Sequence, residues 1–284
     1  MKNSIMVGKI IKQISNDYTV KVNNKIFVCK ARGKFRNLGL TPLVGDNVLI
    51  DDKNNYILEI LDRKNELDRP SVSNIDQVLI VTSVKIPEFS SNLLDKLITI
   101  IEFNNIKPII CFTKLDLLNN EELNEIENVM SYYRKIGYDV YKNTDDRLKN
   151  IFKGKITVFA GQSGAGKSSL INRLDSSLNL KIGDVSIALG RGKHTTRHTE
   201  LIEVLGGLIA DTPGFSSLNF NGMKKTDIRD NFIEFNEYNN DCEYRDCMHI
   251  NEINCGVKKN VDNKNILNSR YENYLKFVEK GENS

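Results

Sequence analysis

The sequence predicts an α/β domain built on a mainly parallel sheet, preceded by a small all-β barrel and followed by a polar, mainly helical module. Three observations carry this expectation. Residues 1–70 form short alternating segments broken by Asn, Asp and Gly. From residue 75 the pattern turns into continuous apolar runs that alternate with helical periodicity. After residue 220 the chain becomes polar around a cluster of Cys and His.

The elements follow in order. "YTVKV" and "KIFVCKARGKFR", joined by an Asn-Asn turn, then "PLVGDNVLI" and "YILEIL", have the spacing of a small barrel. "DRPS" at 68–71 reads as a short linker. "IDQVLIVTSV" suits a strand buried on both faces, and "SSNLLDKLITIIEF" carries helical spacing behind a Ser or Asn cap. "KPIICFTKLD" reads as strand and loop, 120–136 as a charged amphipathic helix, "YDVYKN" as a strand, and "ITVFA" as a strand entering a glycine-rich loop. Near the C-terminus, "NILNSRYENYLKFVEK" places Leu267, Tyr271, Tyr274, Leu275 and Val278 on one helical face.

With 284 residues, 40% hydrophobic and 27% charged, the chain has the composition of a globular protein of two or three compact units. Its net charge of +3 hides a gradient: 13 basic residues face 8 acidic ones in 1–70, 17 face 17 in 71–220, and 10 face 12 thereafter. No apolar run approaches the roughly 20 residues of a membrane span, and "MKNSIMVGKIIKQ" has no continuous hydrophobic stretch before a cleavage site. A cytoplasmic protein that engages no membrane is therefore expected, and a monomer. Cys29 and Cys111 stand alone in apolar runs and are expected to be buried strand residues.

"GQSGAGKSSL" at 161–170 satisfies the phosphate-loop pattern with Gly161, Gly166, Lys167 and Ser168, directly after a predicted strand and before a predicted helix. Gly161, Gln162, Ser163, Gly164, Ala165, Gly166, Lys167, Ser168 and Ser169 are thus candidate nucleotide-binding residues. Backbone amides and the helix N-terminus would cradle phosphates, Lys167 would reach the β and γ groups, and Ser168 would hold Mg²⁺. "LIADTPG" at 208–214 adds Asp211, which can reach Mg²⁺ through water, and Gly214, whose amide can sense a γ-phosphate. The polar, basic segment "GRGKHTTRHTE" at 190–200 reads as a switch whose Thr195 or Thr196 completes the Mg²⁺ shell.

"TKLD" at 113–116 selects the base. Asp116 can accept from the ring N–H and exocyclic amine of guanine, donors that adenine lacks, while the Lys114 stem covers the base face and Thr113 ends the strand. This argues for GTP and GDP and against an ATPase or small-molecule kinase. The base reader precedes the phosphate loop, the reverse of the usual order, and circular permutation accounts for it. Ligand loops of an open parallel sheet all leave the carboxyl ends of its strands, so moving the termini preserves the pocket. Asn143 and Thr144 fall where a further base-contacting loop is expected.

Cys242, Cys247, His249 and Cys255 are spaced C-x4-C-x-H-x5-C, a closed four-ligand set that suits one structural Zn²⁺. Many GTPases orient the attacking water with a Gln after the D-x-x-G segment, but Phe215 stands there. Hydrolysis is then expected to be slow alone and to need a partner or a switch residue, with His194 the catalytic candidate beside Lys167. A nucleotide-regulated RNA-binding protein with little catalysis is the alternative. The run "KARGKFR" supplies Lys30, Arg32, Lys34, Phe35 and Arg36, a mixture of charge and a ring that suits RNA but that composition alone reads equally as a solvated basic loop.

"TKLD", "GQSGAGKSSL", "GRGKHTTRHTE" and "DTPGFSSL", in this order between a barrel and a Cys/His module, resemble the bacterial ribosome small subunit-dependent GTPase A family along essentially the whole chain. The resemblance implies an OB-fold at 1–70, a circularly permuted GTPase domain at 71–219 and a zinc domain at 220–284. It implies the same four zinc ligands and the same histidine, His194. It further implies rRNA contact through the barrel and a role in late maturation of the small ribosomal subunit.

Overall fold

In a computed structural model of the chain, the structure describes residues 5–68, 71–178, 199–211 and 219–282, without the side chains at 36, 68, 177 and 211. The chain divides into two compact units, one of residues 1–78, 145–159 and 167–215, the other of residues 79–144, 160–166 and 216–284.

In the first unit, β1 (Ile5–Ile14), β2 (Asp17–Val22) and β3 (Lys25–Ala31) form an antiparallel meander, and β4 (Asn47–Asp51) pairs antiparallel with β5 (Tyr56–Ile60). Asn23 opens the β2–β3 turn at φ 51°, a left-handed conformation that Asn tolerates better than most residues. Two further pairings close the sheet. β4 runs antiparallel to Ile5–Lys9 of β1, and β5 runs parallel to β3 at Lys30↔Tyr56 and Ala31↔Ile57. The result is a five-stranded barrel of order 1-2-3-5-4-1, as expected of an OB-fold. Ile10, Val20, Cys29, Val48, Ile50 and Ile57 fill it with no exposed surface. Burial pushes the Cys29 thiol up to about 11, so this cysteine packs as a small apolar residue.

Two expectations near the barrel need correction. "KARGKFR" does not prolong a strand: β3 ends at Ala31, and α1 (Lys34–Asn37) folds back so that Phe35 is only 4% exposed. Of the expected linker, Asp68 ends and Ser71 begins the strands of a small antiparallel ladder, β6 (Glu66–Asp68) on β7 (Ser71–Ser73), and residues 69–70 lie outside the described residues. Before it, Arg63 donates to buried Asp46 through Nε at 2.7 Å and Nη2 at 2.8 Å, and Ser73 Oγ donates to the same carboxylate.

Past a bulge between Ile10 and Lys12, β1 continues out of the barrel and pairs at Lys12↔Glu200 with β12 (Glu200–Val204). The Lys12 ammonium donates to the Glu200 carboxylate at 2.7 Å. β12 turns back antiparallel into β13 (Gly207–Asp211), which runs parallel to β11 (Ile156–Ala160). The sheet is thus mixed at this point rather than wholly parallel. α4 (Lys167–Leu174) follows β11 and buries Leu170, Ile171 and Leu174.

In the second unit the strand order is β10 (Asp139–Lys142), β9 (Lys107–Thr113), β8 (Gln77–Ser83), with β10 parallel to β9. From Pro108 to Thr113 every residue of β9 is buried, as a strand covered on both faces requires. α2 (Ser91–Phe103) is capped by Ser90, whose hydroxyl accepts from Leu93 N at 3.2 Å. α3 (Asn120–Lys135) starts in a capping box: Asn119 and Glu122 satisfy each other's backbone amides at 2.9 Å.

The C-terminal part holds α5 (Lys225–Asp230), α6 (Gly256–Asp262) and α7 (Asn268–Val278) around an aromatic core of Phe232, Phe235, Tyr274 and Phe277. The helical face expected for α7 is rotated in the structure. Its buried residues are Arg270, Asn273, Tyr274, Phe277 and Val278, with Leu267 at the cap and Tyr271 and Leu275 half-buried. Two polar side chains lie inside because Arg270 and Asn273 have buried partners on α2.

Candidate nucleotide site and metal centre

β9 delivers "TKLD" to its carboxyl end. Thr113 closes the strand, Lys114 adopts a left-handed conformation (φ 63°, ψ 28°), and Asp116 lies exposed in the short turn Leu115–Leu117. Two side chains from this loop clasp the phosphate loop. Thr113 Oγ1 donates to the Ala165 carbonyl at 2.6 Å, and Lys114 Nζ donates to the Gly164 carbonyl at 2.8 Å and to that of Ile86. The reversed chain order therefore does not separate the two motifs.

The loop's first glycine is required by close approach. At Gly161, φ is 120° and an added Cβ would lie 2.0 Å from the Val81 carbonyl oxygen, so any side chain would push the loop off β8. Ser163 and Gly164 are exposed, Gln162 and Gly166 half-buried, and Ala165 buried. α4 begins at Lys167, so residues 161–166 lead into a helix N-terminus, as in a phosphate-binding loop. Burial lowers the Lys167 pKa; Ser168 is half-buried and Ser169 exposed on the first turn. Asn143 and Thr144 form the turn after β10, where Asn143 N donates to the Phe112 carbonyl at 2.8 Å.

Asp211 ends β13, and its side chain is not described. His194, Thr195, Thr196, Gly214 and Phe215 lie outside the described residues, as does the side chain of Arg36. Of the remaining barrel candidates, Lys30, Arg32 and Lys34 are exposed, with Lys34 Nζ 5.4 Å from the Phe35 ring centroid. Phe35 itself is buried and offers no face for base stacking, contrary to expectation.

Cys242, Cys247, His249 and Cys255 converge so that their ligand atoms all lie within 4.8 Å of one another. His249 Nδ1 faces the sulfurs of Cys255 at 3.3 Å and Cys242 at 3.6 Å. Backbone amides approach two sulfurs, Gly256 N to Cys242 at 3.3 Å and Lys258 N to Cys255 at 3.4 Å, an arrangement that supports thiolates. Burial is the largest cause that pushes the Cys247 thiol up to about 12, with neighbouring Cys255 adding to it, and the His249 imidazole down to about 4, with Arg229 adding to it. Neutral imidazole is the form that binds metal, and buried thiolates need a cation to compensate them. The donor set thus fits a tetrahedral zinc ion.

The support around this cluster was not legible in the sequence. Glu252 accepts from the amides of Met248 at 2.7 Å and Ile250 at 2.8 Å. Tyr271 Oη donates to the His249 carbonyl at 2.7 Å, and Tyr274 Oη to that of Met248. The Gly164 and Ala165 carbonyls that receive the clasp were equally hidden, because a backbone acceptor leaves no mark on residue identity.

The family model described as RsgA GTPase matches residues 60–221, and that described as RsgA N-terminal domain matches 7–57. The chain is 50% identical over 281 residues to "Small ribosomal subunit biogenesis GTPase RsgA 2" of Oceanobacillus iheyensis, covering 96% of each chain. It is 47% identical to "Small ribosomal subunit biogenesis GTPase RsgA" of Bacillus pumilus, covering 95% of this chain and 96% of that one. Among solved structures, it superposes on YloQ, titled a circularly permuted GTPase, with a TM-score of 0.82 at 39% identity over 97% of this chain and 94% of that one. It superposes on YjeQ from Thermotoga maritima with a TM-score of 0.83 at 32% identity, over 97% and 98% of the two chains. With its barrel, its clasped base and phosphate loops and these likenesses along its whole length, the chain belongs to the RsgA GTPase family and is a circularly permuted GTP hydrolase.

Proposed function

We propose that this GTPase acts in the cytoplasm on the small ribosomal subunit, binding it in the GTP state and leaving after hydrolysis. The observation that carries the reading is the clasp of Thr113 and Lys114 on the carbonyls of Ala165 and Gly164. It ties the proposed guanine reader directly to the phosphate loop, which supports base identity and phosphate state being sensed together. The relatives' names as small-subunit biogenesis GTPases support the choice of partner.

In this reading Asp116 accepts from guanine, Lys114 covers the base, and the amides of 161–169 with Lys167 hold the phosphates. Ser168, Asp211 and Thr195 or Thr196 would hold Mg²⁺, which neutralises charge on the β and γ groups, and the Gly214 amide senses the γ-phosphate. His194 orients the attacking water, a role that Phe215 cannot fill. Residues 1–70 serve as the RNA-binding domain through Lys30, Arg32, Lys34 and Arg36, 71–219 as the GTPase domain, and 220–284 as a module folded on one structural zinc.

Phosphate release by the full chain, alone and with purified small or large subunits, tests this. Small subunits should accelerate turnover, by up to about 10⁵-fold on the precedent of other activated GTPases, and large subunits should not. His194→Ala should keep subunit binding with a non-hydrolysable GTP analogue and lose most of the stimulation. Equal release with and without small subunits across salt and Mg²⁺ concentrations would refute the partner.

A further inference from the structure

The first unit contains a cavity of about 730 Å³ whose lining includes none of the nucleotide-loop residues. Its size falls within the range of small-molecule sites, roughly 300–1,000 Å³. One wall is the outer side of the barrel, with Lys9 and Ile11 of β1, and the other is the β12–β13 hairpin from Glu203 to Leu208 with the Gly154–Ile156 turn.

The wall chemistry is selective. Ile11, Val204, Leu205 and Leu208 supply the apolar part of the lining. Four lysines line the cavity, and they differ in their partners. Lys21 is paired with Glu203 and Lys64 with Asp76. Lys9 and Lys155 instead lean on neutral acceptors: Lys9 Nζ donates to the Gly45 carbonyl at 3.2 Å and to Asn47 Oδ1 at 2.9 Å, and Lys155 Nζ to Gln77 Oε1 at 3.3 Å. The carboxylates nearest Lys9, Asp46 and Asp76, are already engaged by Arg63 and Lys64. With two ion pairs cancelled, the cavity keeps two positive charges beside an apolar floor. Lys9, half-buried with neutral partners, is a place where an anion gains more than it would at an exposed lysine, and the exposed Lys155 adds a second positive charge at the same cavity.

We propose that this cavity binds a nucleotide of any base, its ring on the apolar floor and its phosphate between Lys9 and Lys155. The ligand is either a free nucleoside monophosphate or one unstacked residue of a single RNA strand. The GTP site does not compete for an adenine or pyrimidine nucleotide, because that site reads guanine. The hairpin forming one wall joins the 190–200 segment to Asp211, so occupancy stiffens the stretch between the two γ-phosphate-sensing motifs.

The test uses the full chain saturated with GDP and Mg²⁺, so that the guanine site is filled. Adenosine 5′-monophosphate and a short oligoadenylate are titrated separately by calorimetry, against the parent and against a Lys9→Met/Lys155→Ala double variant. Methionine keeps the apolar stem of Lys9, and Lys155 is exposed, so the fold should survive. Losing two charge-assisted hydrogen bonds should weaken binding at least about tenfold while GDP affinity stays unchanged. Binding of the monophosphate that falls in the variant identifies a free nucleotide site. Binding of the oligoadenylate alone that falls in the variant identifies an RNA strand. If neither probe binds the parent at millimolar concentration, or the variant binds both as the parent does, the proposal is wrong.

Discussion

Arg270 on α7 donates to Asp95 on α2 at 2.7 Å with neither side chain exposed to solvent. The same guanidinium donates to both carboxylate oxygens of Glu234 and lies 4.4 Å from the Phe232 ring centroid. Tyr133 Oη donates to the same Asp95 oxygen, Oδ1, and Asn273 Nδ2 donates to Oδ2 at 2.7 Å. One cation thus joins a helix packed on β9 to the core around the Cys and His cluster.

Removing that cation leaves two carboxylates buried without a counter-charge. Arg270→Ala should lower stability by about 3–5 kcal/mol, read from the urea midpoint of the full chain. A loss below about 1 kcal/mol would mean that the carboxylates find water or protons cheaply.

Base selection can be separated from phosphate binding. Asp116→Asn should weaken GTP binding at least about tenfold, by losing charge-assisted hydrogen bonds, and should favour xanthosine triphosphate, whose 2-oxo group needs a donor. Titration with both nucleotides decides it, and unchanged GTP affinity would count against the assignment.

Protein purified without added zinc should carry close to one zinc per chain. Cys247→Ser should reduce the content and loosen the C-terminal core, since structural zinc supplies about 10–16 kcal/mol of apparent binding free energy in small peptides. Full occupancy after loss of both Cys242 and Cys247 would show that the metal sits elsewhere.

Neutralising Lys30, Arg32 and Lys34 should weaken subunit association and flatten its salt dependence, by about 0.7–0.9 in slope for each phosphate that is no longer neutralised. Phe35→Ala should behave differently. It should destabilise the barrel by about 3–5 kcal/mol, measured by thermal unfolding, and leave the salt slope alone.

The contrast between Phe35 and its neighbours illustrates what the sequence could reveal. Groups that the structure brings together were legible from residue identity: "TKLD" beside the glycine-rich loop, and the four Cys and His residues of the cluster. Elements with strong local signals were legible too, such as α3, whose Asn119 and Glu122 announce a capping box. Hidden features depended on distant partners. The parallel β3–β5 pairing that closes the barrel joins residues about 26 apart, 30 with 56, and no local pattern specifies it. Arg270 and Asn273 broke the expected apolar face of α7 because Asp95, far upstream, makes their burial favourable.

β1 is long enough to belong to two structures at once. Its first half closes the barrel, while Lys12 and Gln13 hold Glu200 and Thr199 through an ion pair and a backbone hydrogen bond at 3.3 Å. The segment from 190 to 200 therefore ends on an anchored post, and the post is a strand of the barrel. A load applied to the barrel can reach the exit of that segment along a single continuous strand, through the bulge between Ile10 and Lys12.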